Sequence, residues 1–258
     1  MKNIWGKLSK SKKLFTILAP MAGVTDSPFR QIITKISKPD LLFTEFVSTE
    51  MVWRELMRIS LGRTPSLANY REYAKNLPTI LKFSKKERPL IVQFFGCKPE
   101  QFRVCAKLAL ELGFDGIDIN MGCPDKKVQK QGSGSEMIKN PRLAREIIRA
   151  TIEGCKGKLP VSVKTRIGYE KKDFFHIHEI IKEDISAITI HGRTAKQGYG
   201  GEADWDAIGE IGKEIRKKLK RLGRGIVIIG NGDVKSMGEG AALAEKYGVD
   251  GIMIGRRV

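Results

Sequence analysis

Short runs rich in Val, Ile, Leu and Phe alternate along the chain with longer segments of helical period, the pattern of βα units around a parallel sheet. Eight such runs are visible: Phe15 to Met21, Leu41 to Phe46, Leu90 to Phe95, Gly116 to Met121, Pro160 to Arg166, Ile185 to His191, Gly225 to Gly230 and Val249 to Gly255. Most are continuously apolar rather than alternating, as expected of strands covered on both faces. Helices are predicted between them at Pro28 to Ile36, Pro99 to Leu112, Pro141 to Ile152, Phe174 to Glu183, Trp205 to Leu222 and Ser236 to Tyr247. Three of these open on a proline near the first helical position, where its missing N–H costs nothing.

The fourth and eighth runs echo each other. Gly113-Phe-Asp-Gly-Ile-Asp-Ile-Asn120 and Gly248-Val-Asp-Gly-Ile-Met-Ile-Gly255 agree at five of eight positions, as a half-barrel repeat would. Eight βα repeats predict an α/β fold, a TIM (β/α)8 barrel occupying residues 1–258, with residues 1–13 a basic N-terminal segment. The stretch from Thr49 to Arg88 is the least regular. A helix is expected around Met51 to Ser60 and an elaborated loop after it, of the length that often carries function. Val258 stands just past the eighth run, so the last barrel helix is expected to be missing from this chain.

Composition narrows the class. Of the 258 residues, 41% are hydrophobic and 29% charged, enough apolar material for a large core and too much for a disordered polycation. Lys and Arg total 47 against 29 Asp and Glu, a formal net charge of +18 that favours a polyanionic partner. No apolar run reaches the ~18 residues of a membrane helix, so no membrane association is expected. Lysines before the apolar stretch Leu14 to Ala22 superficially resemble a secretory signal, but Pro20 interrupts it and no small-x-small site follows cleanly. Cys97, Cys105, Cys123 and Cys155 form no C-x-x-C pair, which argues against a disulfide framework or zinc site and for a cytoplasmic, metal-free protein.

In a barrel the chemistry lies at the C-terminal ends of the strands. The residues closing the runs are Pro20-Met-Ala-Gly-Val-Thr-Asp26, Thr44-Glu-Phe46, Gln93-Phe-Phe-Gly96, Asn120-Met-Gly-Cys-Pro124, Lys164-Thr-Arg166, His191-Gly-Arg-Thr194, Gly230-Asn-Gly-Asp233 and Gly255-Arg256. The glycine pairs after runs seven and eight, with the forked cation of Arg256, read as a phosphate site, since glycine lets backbone N–H groups approach phosphate oxygens. Either pair alone would read as a tight turn. Lys164 at the barrel mouth needs an anion or an electron-rich ring to offset its desolvation, and Gln93 offers a donor and an acceptor. A planar heterocycle with carbonyls and ring nitrogens suits both. Cys123 places a thiol at the mouth beside Lys126, Lys127 and Lys130, suited to proton donation or nucleophilic attack. His191 closes the sixth run as a ligand contact. Cys97, Cys105 and Cys155 read as inert, His176 and His178 as surface or packing residues, and Gly132-Ser-Gly-Ser as a flexible loop without the dinucleotide fingerprint.

Together, Ala19-Pro-Met-Ala-Gly-Val-Thr-Asp26, Asn120-Met-Gly-Cys-Pro124, Val163-Lys-Thr-Arg166, His191-Gly-Arg-Thr194, Ala203-Asp-Trp205 and Asn231-Gly-Asp233 resemble the tRNA-dihydrouridine synthases, in order and spacing, along essentially the whole chain. The resemblance implies an FMN-containing barrel that uses NADPH to reduce the C5–C6 bond of particular uridines in tRNA. Carried over by motif, Pro20, Met21, Ala22, Gln93, Lys164, His191, Asn231, Gly232, Asp233, Gly255 and Arg256 would hold FMN. Cys123 would be the catalytic acid, Asn120 and Arg166 would face the flipped uracil, and Tyr199 would assist. A monomer is implied. The family continues past its eighth strand into a C-terminal helical tRNA-binding domain, expected to be missing here.

Two rivals remain at this level. One is an FMN barrel acting on a free pyrimidine, of the dihydroorotate dehydrogenase kind; the other is an RNA-binding module that kept the barrel without turnover. Charge favours a polyanionic substrate over a free base, through clusters such as Lys126 to Lys130, Arg142 to Arg149 and Arg216 to Arg224.

Overall fold

The computed structural model describes residues 4–11, 14–63, 65–75 and 79–256. Eight parallel strands close into a barrel in sequence order, with the first paired to the eighth. They are β1 (Phe15–Leu18), β2 (Leu41–Ser48), β3 (Leu90–Phe95), β4 (Gly116–Met121), β5 (Val161–Arg166), β6 (Ala187–His191), β7 (Val227–Asn231) and β8 (Gly251–Ile254). All eight predicted runs are thus strands, and the third and fourth keep their predicted bounds. β1 is shorter than predicted: Ala19 N–H still bonds Ile254 O, but Pro20 has no N–H to continue the ladder. β2 is longer, because a register shift between Phe43 and Phe46 bends it onward to Ser48.

The helices are α1 (Ile4–Lys10), α2 (Ser27–Ile36), α3 (Thr49–Ile59), α4 (Leu67–Lys75), α5 (Pro99–Leu112), α6 (Lys126–Gln129), α7 (Pro141–Gly154), α8 (Phe175–Ile180), α9 (Trp205–Arg221) and α10 (Met237–Tyr247). Capping explains several starts. Asp26, Asn140, Asp204 and Ser236 each accept a backbone N–H from the first turn of the helix that follows. The predicted helix Phe174 to Glu183 is cut short at Ile180, beyond which the chain runs in turns.

One sequence expectation needs correction. The elaborated loop after Ser60 contains α4, whose Tyr70 and Tyr73 are buried one turn apart, and short 3-10 turns at Thr79–Leu81 and Lys85–Glu87. The basic N-terminal segment also has structure. α1 buries Trp5 in the cluster formed by Phe15, Ile17, Leu41, Phe43, Ile91, Val227, Ile229 and Met253. These strand residues fill the barrel interior, so Trp5 acts as a plug. β8 begins on Gly251 because a Cβ there would run into the Phe15 ring. The stretch that mimics a signal core is accordingly the first barrel strand, hydrogen-bonded on both edges. Among the described residues, no helix is long and apolar enough to cross a membrane.

One buried ion pair ties the β1 loop to the rest. Arg30 on α2 and Glu87 are both essentially inaccessible to water and meet at 2.7 Å. Glu87 also accepts from Ser27 Oγ and Ser84 N–H, while Arg30 donates to Thr25 O and Lys82 O. Thr25 Oγ1 in turn accepts from Met21 N–H, which folds the loop over the barrel mouth.

Candidate active site

The C-terminal ends of the strands surround an open cleft lined by polar and charged side chains. Of the residues that sequence reasoning proposed, Pro20, Met21, Gln93, Asn120, Cys123, Lys164, Arg166, His191, Tyr199, Asn231, Gly232, Asp233, Gly255 and Arg256 line it. Ala22 is exposed and stands outside the lining. The cleft also takes in Ala19, Phe46, Gly122, Pro124 and Arg193. A neighbouring open depression runs from Gly232, Asp233 and Arg256 toward Lys235 and Glu239 on the α10 side.

A relay of side chains crosses the floor. Buried Asp118 on β4 accepts from Ser162 Oγ at 2.6 Å and from Gln93 Nε2 at 2.7 Å. Gln93 Oε1 accepts from Asn120 Nδ2 at 2.9 Å, and Asn120 Oδ1 accepts from the N–H groups of Gly122 and Cys123. Each amide therefore has both ends engaged. Asn120 folds the Cys123 loop, and Gln93 keeps one N–H free of the relay. Burial pushes the Asp118 carboxyl up to about 6, with Ser162, Gln93 and the Lys164 charge pulling the other way.

The Lys164 ammonium makes no hydrogen bond and no ion pair among the described residues. Removal from water pushes its pKa down to about 8, helped by Arg166 and opposed by Asp118 and Cys123. An ordinary lysine, at 10.5, would not respond to pH in this range. The lowered value destabilises the charged fold, so the stabilising contribution is complete above about pH 10.5 and is lost as pH falls through 8. Lys164→Met is expected to flatten the rise of stability between pH 8 and 10, read as the difference in urea midpoints between wild type and variant. Parallel pH slopes for the two proteins would mean that the ammonium is not desolvated.

Cys123 is half-buried, and burial is the largest influence raising its pKa, with the Asp125 charge adding and Arg166 and Lys164 subtracting. The thiol is therefore protonated at neutral pH, as suits an acid more than a nucleophile. Its loop is closed by Ser135 N–H on Cys123 O. Arg166, 2% exposed, donates to Gly122 O, Thr194 O and Gly198 O and so binds the β4 loop to the β6 loop. Tyr199 lies 60% exposed, with the Arg256 guanidinium 4.6 Å from its ring centre and that of Arg166 at 5.9 Å.

On the β7 side, Gly232 at φ +124° and Asp233 at φ +53° form a turn of left-handed residues. A Cβ on Gly232 would stand 2.6 Å from Ala203 Cβ and 3.0 Å from His191 Cδ2, so only glycine fits. The Asp233 carboxylate is committed to Arg193 and to Ala203 N–H. Burial raises its pKa, but these partners more than offset that and hold it below the ordinary value. Asn231 spends its amide N–H on Met253 O, joining β7 to β8. His191 is buried, and burial together with Lys164, Arg166, Arg193 and Arg256 pushes it far below the ordinary range, leaving it neutral.

The residues outside the cleft behave as their neighbours dictate. His176 is buried against Thr165 Oγ1 at 3.1 Å, and His178 pairs with Glu214. Cys105 is fully buried, which raises its thiol well above the ordinary value. Among the described residues, no cluster of His, Cys, Asp and Glu could hold a metal ion.

Sequence reasoning missed the role of Arg193, although it stood inside a quoted motif. Its only sequence signal was a guanidinium two residues past a barrel strand. Phe46 was likewise quoted without a role; it lines the cleft and packs edge-on against Phe95.

Solved structures of similar fold include morphinone reductase in complex with tetrahydroNAD, at 14% identity and TM-score 0.55 over 93% of this chain and 82% of that one. Histamine dehydrogenase from Rhizobium sp. 4-9 gives 12% identity and TM-score 0.59 over 93% of this chain and 43% of that one. The fold is that of the (β/α)8-barrel class, with the cleft at the C-terminal strand ends. Residues 17–258 match the dihydrouridine synthase (Dus) family. A probable tRNA-dihydrouridine synthase of Staphylococcus aureus (strain COL) is 40% identical over 99% of this chain and 71% of its own length. Probable tRNA-dihydrouridine synthase 2 of Bacillus subtilis (strain 168) is 38% identical over the same shares. The chain belongs to the dihydrouridine synthase family and is an oxidoreductase.

Proposed function

We propose that this chain is a tRNA-dihydrouridine synthase that takes electrons from NADPH through bound FMN and reduces the C5–C6 bond of particular uridines in tRNA. The observation that carries the reading is that an unpartnered cation, Lys164, and a protonated thiol, Cys123, line one cleft at the barrel mouth.

The residues present fit a flavin mononucleotide. Lys164 lacks a partner of its own, Gln93 keeps a free N–H, and neutral His191 supplies a further polar edge, all suited to the carbonyls and nitrogens of a flavin ring. Gly232, Gly255 and Arg256 lie along the β7 and β8 ends, where a barrel accommodates phosphate. Met21 lies beside Gly255, and Pro20 lines the same cleft. Bound FMN would supply the two-electron chemistry, accepting hydride from NADPH and passing it to C6 of uracil.

The protein's own part begins with excluding water and holding the base. Arg166 and Tyr199 would face the uracil, and Asn120 positions the loop that carries Cys123. As negative charge develops toward C5 and O4, Cys123 Sγ gives its proton to C5 and is reprotonated from solvent afterwards. The net change is uridine, NADPH and a proton going to dihydrouridine and NADP+. The uracil has to leave its stack to reach the cleft, at a cost of about a few kcal/mol that contacts with the rest of the tRNA must supply. The excess of basic residues, +18 overall, suits that polyanionic partner. We place the working protein in the cytoplasm, as a monomer, where its substrate and reductant are.

The purified protein is expected to be yellow, with a flavin band that NADPH bleaches. A colourless protein that ignores added FMN would refute the cofactor assignment. Mass spectrometry of tRNA from cells with and without the gene then tests the substrate. Loss of dihydrouridine at one or more positions supports the reading, and unchanged tRNA would redirect it to a free pyrimidine.

A further inference from the structure

Arg193 sits two residues past β6, 3% exposed, at the junction of three loops. Its fork is fully used. Nε donates to Gly200 O at 3.0 Å, Nη1 to Asp233 Oδ1 at 2.9 Å, and Nη2 to Asp233 Oδ2 at 2.8 Å and to Gly201 O. The remaining N–H, on Nη1, is directed at His191 Nε2, 3.4 Å away. Arginine has five N–H donors and no acceptor, so at this contact the imidazole nitrogen must be the acceptor.

We infer that Arg193 is a positioning residue that fixes His191 as the neutral Nδ1–H tautomer, so that the cleft meets a hydrogen-bond donor on that edge. Two further observations agree. The Cδ2–Nε2 edge of the ring faces Gly232, where a Cβ would stand 3.0 Å from Cδ2 and 3.3 Å from Nε2, so this edge is turned toward the β7 loop. Nδ1 makes no hydrogen bond among the described residues, and His191 lines the cleft. The ligand atom this edge takes is an acceptor oxygen. A single neutral donor also avoids adding another positive charge beside Lys164, Arg166 and Arg256, which already crowd the mouth.

Asp233 is the other half of the device. Its two oxygens hold the guanidinium plane, and the left-handed turn at Gly232 and Asp233 brings them into register with it. The chain of control therefore runs from Asp233 to Arg193 to the imidazole. A lysine at position 193 could replace the charge but not the five-way fork.

The inference leans on the flavin reading only for the identity of the acceptor oxygen, and the test separates the two. The chain has three histidines, so 15N-histidine labelling of the ligand-free protein gives a resolvable spectrum, with His191→Gln identifying its signal. Expected for wild type are a pyrrole-type Nδ1 and a pyridine-type Nε2 at His191, unchanged from pH 5 to 8. Arg193→Met should shift both signals toward a tautomer mixture and weaken FMN binding about tenfold, while Arg193→Lys recovers less than the full affinity. A wild-type His191 protonated on Nε2, or titrating near pH 6.5, overturns the inference even if no variant folds. So does an unchanged His191 spectrum in folded Arg193→Met. A colourless protein with the expected tautomer would refute the flavin assignment and leave this one standing.

Discussion

Cys123→Ala is expected to leave NADPH-driven bleaching of the flavin intact while uridine reduction in tRNA falls by about 10²-fold or more, the range of a lost general acid. In the proposed mechanism the split follows from which step uses the thiol. Electron transfer into the flavin requires no proton at uracil C5, whereas completing the reduction does. Burial keeps the Cys123 thiol protonated, and its loop is held by Asn120 Oδ1 and by Ser135, so the side chain can be removed without unfolding its support. Because its pKa is raised, the acid form persists across neutral pH, and turnover should hold on its alkaline side until the thiol ionises. Single-turnover assays with reduced enzyme and tRNA lacking dihydrouridine measure the step directly. Unchanged turnover would remove Cys123 from the mechanism.

The second large effect concerns stability. Glu87→Gln is expected to cost about 3–5 kcal/mol, because it strands the Arg30 guanidinium in a site without water. The magnitude rests on near-complete burial of both partners, at 1% and 0% exposure. Exposed pairs among the described residues should matter far less; in Arg58–Glu55, with the arginine 72% exposed, solvent screens the attraction. Urea denaturation of wild type and variant provides the comparison, and a loss under about 1 kcal/mol would show that the pair is not isolated from solvent. The double variant Arg30→Met/Glu87→Gln should recover part of the loss, since no uncompensated charge then remains. A functional consequence should accompany the instability. Arg30 holds Thr25 O, and Thr25 holds Met21 N–H, so the β1 side of the cleft loosens and ligand affinity falls with it.

Much of the architecture was legible because a parallel barrel writes itself locally. A strand covered on both faces must be apolar at nearly every position, and all eight runs became strands on that ground. The cleft was legible for a related reason. The fold puts every strand end on one rim, so residues widely spaced in sequence, Gln93, Lys164, His191 and Arg256, could be assembled by topology before any coordinate was known. α4 escaped notice because its apolar positions are few and sit among polar ones, and α1 because a basic segment with one tryptophan gives almost no periodic signal. Both are helices for a tertiary reason: Tyr70, Tyr73 and Trp5 find core to bury in.

The sequence by itself determined the barrel, its rim and the chemical types gathered there, since each depends on neighbours along the chain and on one repeating topology. Only the tertiary structure decided which of those polar groups are free. Gln93 and Asn120 look like ligand contacts in the sequence; in space they are also tied to each other and to Asp118, which leaves Gln93 one N–H for a ligand. Asp233 looks like a phosphate-loop residue, yet its carboxylate belongs to Arg193, 40 positions away. Lys164 forms no ion pair among the described residues, because the nearby Asp118 carboxylate is taken up by Ser162 and Gln93 and acts on it only through space. Hydrogen-bond partnership between distant residues is set by barrel closure, and no local pattern encodes it.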